Sequence, residues 1–376
     1  MSRDNLARCI EPEPYELPLI ARVTAPFEMR RGGVLPGFDI AYETWGTLEA
    51  DAGNAVLILT GLSPSAHARS SHESPEPGWW EKMIGPGAPL DTRRDFIICV
   101  NHFGSCFGST GPASIDPRTG RRYGLRFPEL TMEDMARAVR EALRTLGIRR
   151  LRALVAPSMG GMVALAYAVQ FPDEIGSLLL ISTAGRVDAR TIAIHSLQRE
   201  AIRIDPAWQG GDYDPHSPPV AGMKLARKIG MSSYRTAEEW AGRFGRHLSE
   251  HPPVEPFGIE FEIESYLEAV ARKFVSQFDA NSYLYLSRAM DLFDVAEHGH
   301  NLHDAIARID AERVLIIGVE SDTLFPVERQ RVLADAFGRA GKNIDLRILP
   351  SLQGHDAFLV DMARFKPLIG DFLAGA

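Results

Sequence analysis

A serine flanked by small residues is the first candidate for chemistry in this sequence. Ser158 lies in the stretch VAPSMGGM, with Ala156 two residues before it and Gly160 two residues after it. Small side chains at these positions let a strand and a following helix approach closely, which holds the serine in a strained turn with its hydroxyl exposed. The pattern predicts a nucleophilic serine. A plain strand-to-helix connection with an N-cap serine also fits these five residues.

An aspartate and a histidine further along the chain are candidate partners for this serine. Asp322 follows the apolar run RVLIIGV, and His355 follows the run IDLRILP, so both lie in loops after predicted strands. The order serine, aspartate, histidine is the one expected of an α/β-hydrolase triad. His355 would be the general base, because the pKa of histidine lies near working pH, and Asp322 would orient it. Alternatively, Asp322 caps the helix near Pro326 and His355 is a surface residue.

Acyl chemistry on Ser158 also requires donors for a negatively charged oxygen. The N–H of Met159 lies at the predicted start of the next helix, where the helix dipole favours negative charge. We assign the second donor to Leu62, in the loop after the run AVLILTG. These two N–H groups are the predicted oxyanion hole.

Short apolar runs alternate with helical patterns at both ends of the chain. Runs buried on both faces of a parallel sheet are nearly continuous in apolar residues, and this pattern predicts the strands AVLILTG, FIICV, LRALVAP, IGSLLLIS, RVLIIGV and IDLRILP. The segment TMEDMARAVREALRTLGI predicts a helix with Thr131 as its N-cap and Gly147 as its stop. The alternation predicts an α/β fold with a mainly parallel sheet.

The alternation stops between about Val187 and His303, where helical patterns are separated by stretches rich in proline and glycine. We therefore predict an α/β core in two parts, residues 1–186 and 304–376, with a helical cap over residues 187–303. A cap of this kind would lie over one edge of the sheet and exclude water from the site.

Composition limits the classes of partner. The 376 residues carry a net charge of −8, and a nucleic-acid binder needs a concentrated basic surface, so we expect small-molecule partners and no nucleic acid. Cys9, Cys99 and Cys106 lack CxxC spacing, so neither a disulfide framework nor a metal site is predicted. Acidic residues and prolines replace the apolar core of a signal peptide, and Pro157 interrupts the uncharged stretch 153–171. We expect a cytoplasmic protein without a membrane span.

Ordered blocks across nearly the whole chain resemble the homoserine O-acyltransferase family of the α/β-hydrolase fold. They include NHFGSCFGSTGPASIDPRTG, PSMGGM, DPAWQGGDY, GMKLARKIG, KFVSQFDANSYL, SDTLFP and GHDAFL. The resemblance implies a cytoplasmic, usually homodimeric enzyme that moves an acyl group from acyl-CoA to an amino-acid hydroxyl through an acyl-serine, without a further cofactor. It also implies that Arg227 and Asp356 contact the amino acid. The guanidinium of Arg227 suits the carboxylate of an amino acid, and the carboxylate of Asp356 suits its ammonium group.

One loop departs from the common family pattern and resembles the serine O-succinyltransferase branch. Where homoserine acetyltransferases carry a stretch like HALTGDSH, this chain has LTGLSPSAH, which includes Leu62, Ser63, Pro64 and Ser65. Pro-Ser in place of Gly-Asp stiffens the loop and removes a charge, which suits an acceptor one methylene shorter than homoserine. The resemblance thus implies succinyl transfer from succinyl-CoA to L-serine. If the loop has merely drifted, homoserine acetylation or succinylation remains open, and a wetter pocket would make an esterase or thioesterase.

A succinyl group carries a carboxylate, which requires a cation in a water-poor pocket. Arg186, just beyond the strand that follows the helix of Ser158, is the candidate, although a surface arginine at the start of the cap fits the same position. In some succinyl-transferring relatives an arginine lies two residues after the triad aspartate. This chain has Leu324 there.

Overall fold

The computed structural model describes residues 18–250 and 255–375. Its strands are β1 (Leu19–Val23), β2 (Phe27–Glu28), β3 (Val34–Leu35), β4 (Phe38–Trp45), β5 (Ala55–Leu59), β6 (Phe96–Val100), β7 (Ile115–Asp116), β8 (Arg121–Arg122), β9 (Leu151–Pro157), β10 (Ile175–Ile181), β11 (Arg313–Val319) and β12 (Ile344–Leu349). The main sheet has eight strands in the order β1-β4-β6-β5-β9-β10-β11-β12. Only the pairs β1–β4 and β4–β6 in it are antiparallel.

Helices connect most of the parallel strands, whereas a long segment without a helix joins β5 to β6. The helices are α1 (Met132–Thr145), α2 (Met159–Gln170), α3 (Ala189–Arg203), α4 (Val220–Tyr234), α5 (Ala237–Arg243), α6 (Glu262–Val275), α7 (Ala280–Leu292), α8 (Leu302–Ala307), α9 (Val327–Arg339), α10 (Ala357–Val360) and α11 (Met362–Ala374). The predicted α/β fold with a mainly parallel sheet is confirmed.

Local sequence explains why these elements begin and end where they do. Strands β5, β9 and β10 are almost wholly buried, as their continuous apolar runs predict. Helix α1 begins at a capping box in which the Thr131 hydroxyl accepts from the N–H of Asp134 and the Asp134 carboxylate accepts from the N–H of Thr131. Gly147, with a φ of 79°, follows the end of this helix.

The uncharged stretch 153–171 divides into most of β9, a turn and α2, whose side chains are nearly all buried. The described residues contain no helix that is long and apolar enough to cross a membrane. Cys9 and most of the N-terminal stretch behind the export prediction lie outside the described residues.

Five helices, α3 to α7, follow one another between β10 and α8, and we call them the cap helices. Four of them, α3, α5, α6 and α7, match the helical patterns of the sequence, which are ARTIAIHSLQREAIRI, TAEEWAGRFGRHL, IESYLEAVARKFVSQF and SYLYLSRAMDLF. Helix α4 lies where we identified no helical pattern, directly after the stretch DPHSPP. Helix α4 packs against α3 and α6, so it lies at the centre of this group. The limits of the cap at residues 187 and 303 stay a prediction.

Candidate active site

Ser158 occupies the sharp turn between β9 and α2. Its backbone has a φ of 56° and a ψ of −126°, and its N–H donates to the Ile181 carbonyl at 2.8 Å. A Cβ on Gly160 would lie 2.2 Å from the Leu59 carbonyl oxygen and 2.5 Å from that of Thr60, so only glycine fits there. The strained serine conformation is therefore fixed by the ends of two neighbouring strands.

The structure brings Ser158, His355 and Asp322 together. Nε2 of His355 lies 2.8 Å from Oγ of Ser158, and Nδ1 lies 2.8 Å from Oδ2 of Asp322. The other carboxylate oxygen, Oδ1, accepts hydrogen bonds from the N–H groups of Leu324 and Phe325, each at 2.9 Å. These bonds hold the carboxylate in place, so that Nδ1–H of His355 donates to it and the Nε2 lone pair faces the serine hydroxyl.

His355 is buried among aromatic rings. The ring centroid of Phe325 lies 5.4 Å from that of His355, and Phe358 and Tyr234 follow at 5.8 Å and 6.0 Å. Burial by itself lowers the pKa of His355, but the charge and the hydrogen bond of Asp322 raise it, and the charge of Asp356 adds to this. The pKa of His355 lies above its ordinary value of 6.5 as a result.

The two predicted oxyanion donors border the serine. Met159 begins α2, and a Cβ on Gly61, the residue before Leu62, would lie 3.7 Å from Cβ of Ser158. Within residues 18–250 and 255–375, the N–H groups of Met159 and Leu62 donate no hydrogen bond to another protein group. Both therefore remain available to a ligand at Ser158.

The loop that carries Leu62, Ser63, Pro64 and Ser65 is tied to the core. The indole N–H of Trp79 donates to the Ser65 carbonyl at 3.1 Å, and the Thr60 hydroxyl donates to the Pro64 carbonyl at 3.4 Å. Two residues beyond Ser65, a buried imidazole is paired with a carboxylate, with Nδ1 of His67 2.8 Å from Glu43. The loop is thus held in one conformation beside the serine.

Arg227, on α4, lies close to this centre. Its guanidinium carbon is 4.7 Å from the ring centroid of Phe274 and 5.7 Å from that of Tyr234. The ring of Tyr234 in turn lies 6.0 Å from the ring of His355. Among the described residues Arg227 has no ion-pair partner, and its buried Nε has no hydrogen-bond partner. A half-buried cation of this kind could bind a carboxylate of a ligand.

Asp356 lies directly after His355, and the structure gives it a partner that the sequence did not indicate. Nε of Arg235 donates to Oδ2 of Asp356 at 3.1 Å. Arg235 follows the last residue of α4. No local sequence pattern connects two residues so far apart in the chain. The position of Arg235 at a helix end was only a weak indication of a role at the site.

Arg186 is not brought together with Ser158. Its side chain is 62% exposed and forms an ion pair with Asp294 at 3.1 Å, beside an open cavity of about 310 Å³ that Leu333 also lines. Leu324, two residues after Asp322, is buried and contributes its N–H to the aspartate.

Cysteine and metal chemistry have little support among the described residues. Burial raises the pKa of the Cys106 thiol to about 12 and that of Cys99 well above the usual range, so both thiols are protonated near neutral pH. The described part of the chain places no group of three or more His, Cys, Asp or Glu side chains where they could hold a metal ion.

Known proteins are similar to this chain over most of its length. Residues 54–361 match the family of the alpha/beta hydrolase fold. A serine O-succinyltransferase of Litchfieldella anticariensis is 54% identical, over 93% of this chain and 96% of that protein. One of Stenotrophomonas maltophilia is 53% identical, over 93% and 95%.

Two solved structures share the fold at lower identity. A homoserine O-acetyltransferase from Bacillus anthracis is 29% identical with a TM-score of 0.87, over 94% of this chain and 96% of that one. A solved esterase is 28% identical with a TM-score of 0.86, over 94% and 99%. Enzymes of different activity therefore share this architecture.

Proposed function

Because the chain belongs to the α/β-hydrolase fold family and, within it, to the family of these serine O-succinyltransferases, we propose that it transfers a succinyl group from succinyl-CoA to the hydroxyl of L-serine. The observation that carries this proposal is the identity of 54% over 93% of the chain. The hydrogen-bonded line of Ser158, His355 and Asp322 supplies the chemistry that such a transfer needs.

The first half-reaction forms an acyl-enzyme. His355 takes the proton of Ser158 as Oγ attacks the thioester carbonyl, and the N–H groups of Met159 and Leu62 bind the negative oxygen. The tetrahedral intermediate collapses, the C–S bond breaks, and the sulfur leaves as CoA with the proton that His355 returns. The product of this step is succinyl-Ser158.

The second half-reaction passes the acyl group to the acceptor. The hydroxyl of L-serine attacks the ester carbonyl of succinyl-Ser158 while His355 takes its proton. The tetrahedral intermediate collapses, the bond between the acyl carbon and Oγ of Ser158 breaks, and His355 returns the proton to Oγ. Arg227 binds the carboxylate of the acceptor and Asp356 binds its ammonium group. The unpaired guanidinium of Arg227 near His355 supports this assignment.

The loop beside Ser158 supports the choice of acceptor, whereas Arg186 does not support the choice of acyl donor. Ser63, Pro64 and Ser65 lie in a loop fixed beside Ser158, which supports a role in selecting the shorter acceptor. Arg186 is paired with Asp294 at the surface. The preference for a succinyl donor therefore rests on the relatives and not on this arginine.

The product, O-succinyl-L-serine, carries a good leaving group on the β-carbon, so it suits a following displacement by sulfide in cysteine synthesis. Use of acyl-CoA supports a cytoplasmic location. We also propose a homodimer, and exposed apolar side chains on α3 and α4, namely Leu197 and Leu225, support an interface there. Light scattering would measure the mass in solution.

Two solved structures of similar fold indicate alternative functions. A homoserine O-acetyltransferase and an esterase superpose almost equally well, so homoserine acylation and ester hydrolysis are the alternatives to serine succinylation. They differ in the acceptor, which is homoserine in one case and water in the other.

A crossed assay separates these functions. The protein receives succinyl-CoA or acetyl-CoA, each with L-serine, L-homoserine or no acceptor, while free CoA and the mass of the product are followed. We expect sustained CoA release only with succinyl-CoA and L-serine, and its loss in Ser158→Ala. Faster turnover with homoserine would contradict the acceptor assignment, and equal release without an acceptor would indicate hydrolysis.

A further inference from the structure

The junction between the C-terminal end of α4 and the start of α5 contacts the two loops that carry Asp322 and His355. The hydroxyl of Thr323, next to Asp322, donates to the Ser233 carbonyl at 3.1 Å. The hydroxyl of Thr236 donates to the Leu352 carbonyl at 2.7 Å, three residues before His355. The junction of α4 and α5 therefore contacts the loop of Asp322 and the loop of His355.

This contact is close enough to require a glycine. Gly354, directly before His355, has a φ of 61°, and a Cβ there would lie 2.4 Å from the Tyr234 carbonyl oxygen. The turn before His355 can approach the end of α4 only because position 354 lacks a side chain.

Arg235 is the charged residue of this contact. Besides its bond to Asp356, its Nη1 donates to Oε1 of Gln353 at 2.7 Å and lies 3.8 Å from Oε1 of Glu239. The side chain is only 10% exposed. A guanidinium held at several points is a rigid anchor for a carboxylate, since its donors are fixed in one plane.

Arg235 leaves one oxygen of Asp356 open. Oδ2 accepts the bond from Arg235, whereas Oδ1 accepts no hydrogen bond from any residue of the described part of the chain. The Asp356 side chain is partly exposed. Arg227 lies on α4, about two turns before Arg235, which directly follows the end of that helix.

We propose that Arg235 is a positioning residue for the amino-acid acceptor, because it fixes Asp356 through Oδ2 and so aims Oδ1 at the ammonium group of L-serine. This inference rests on the proposed function. It places the groups for both ends of the amino acid on α4 and on the residue that follows it. Arg227 binds the carboxylate, and Arg235 orients the side chain that binds the ammonium group. Acyl-enzyme formation needs neither contact.

The two half-reactions provide the test. Arg235→Gln and Arg235→Lys are compared with wild type in the single-turnover release of CoA without an acceptor and in the KM for L-serine at saturating succinyl-CoA. We expect Arg235→Gln to raise the KM for L-serine by about 10- to 100-fold, because a charge-assisted bond is lost. The rate of the CoA burst, measured at alkaline pH where His355 is neutral in wild type and variants, should change by less than about twofold. Arg235→Lys should raise the KM less, since it keeps the charge without the planar fork.

Two further variants isolate the route through Asp356. Arg243→Gln removes an arginine that also neighbours Glu239 but does not contact Asp356, and it should leave both half-reactions unchanged. In an Asp356→Asn background, Arg235→Gln should add little to the KM, because the two residues act as a unit.

An unchanged KM in both Arg235 variants would overturn the inference, and so would an equal fall of both half-reactions, which would show a merely structural role. If Arg235→Gln fails to fold, the test uses Arg235→Lys alone. A raised KM for L-serine with an intact CoA burst in that variant supports the inference, and an unchanged KM overturns it. A wild-type enzyme that forms the acyl-enzyme but does not use L-serine would instead overturn the proposed function, and this inference with it.

Discussion

The two sides of the site are held in different ways. Ser158 is held by its immediate neighbours in the sheet, since Gly160 packs on the end of β5 and Gly161 packs on Thr183 after β10. His355 is held from the cap, because the turn before it rests on the end of α4, about 120 residues earlier in the chain. The nucleophile thus belongs to the rigid core, and the base is shared between core and cap.

This difference matches the order of the proposed reaction. Both half-reactions use Ser158 and His355, whereas transfer to an amino acid also uses Arg227, Asp356 and Arg235 near α4.

Changes at the turn from Pro157 to Gly161, which we call the elbow, should therefore damage both half-reactions. Changes where Gly354 approaches Tyr234, which we call the α4 contact, should damage transfer first. The following experiments test this division.

The largest effect is expected from Asp322→Asn. The amide oxygen of the new side chain is needed to accept from the N–H groups of Leu324 and Phe325, so the amide NH2 faces Nδ1 and donates to it. The proton of His355 then lies on Nε2, where the lone pair is required, and kcat should fall by about 10⁴-fold. Both half-reactions should slow together, measured as the CoA burst and as product formation. Asp361→Asn, which affects an ion pair with Arg364 outside the site, is the control. A loss below tenfold would contradict the role of Asp322.

Two glycine substitutions compare the elbow with the α4 contact directly. Gly160→Ala should lower the free energy of unfolding by about 3 kcal/mol, because its Cβ meets backbone oxygens that cannot move aside. Both half-reactions should be lost with it. Gly242→Ala, where a Cβ meets nothing within 4 Å, is the control for thermal unfolding.

Gly354→Ala should cost about 2 kcal/mol, from its left-handed φ and its contact with Tyr234. It should raise the KM for L-serine more than it slows the CoA burst, since it pushes α4 away from His355. Gly341→Ala has a similar φ of 70° in open space and isolates the cost of the backbone conformation. If Gly354→Ala instead abolished the burst and spared the KM, the division between core and cap would be wrong.

The sequence predicted the core side of the site better than the cap side. The elbow could be found because strand, small residues, serine and helix are consecutive, and the loops of Asp322 and His355 could be found because each follows an apolar strand. Strand β4 was not identified, since polar residues interrupt its apolar pattern. The pairing of Arg235 with Asp356 depends on how the cap packs on the core, and no local pattern contains that information.

The smallest effect concerns pH. His355 must be neutral to take a proton from either hydroxyl, and its raised pKa keeps it charged to a higher pH than an ordinary histidine. The charged groups around it are Asp322, Asp356, Arg235 and, beyond the ring of Tyr234, Arg227. Burial raises the pKa of Tyr234 and keeps that phenol neutral. The rates of both half-reactions should therefore fall as pH decreases through a value above 6.5, by about tenfold for each further pH unit.

Arg235→Gln refines this expectation, because it removes a positive charge that balances Asp356. The negative charge of Asp356 then acts more strongly on His355 and raises its pKa further. The acidic limb of the pH–rate profile should therefore move to higher pH. Rate profiles of the CoA burst, which does not involve the acceptor, measure this shift separately from binding of L-serine. A limb that stays in place would mean that Arg235 orients Asp356 without tuning the base, and the contact between cap and core would then act through geometry alone.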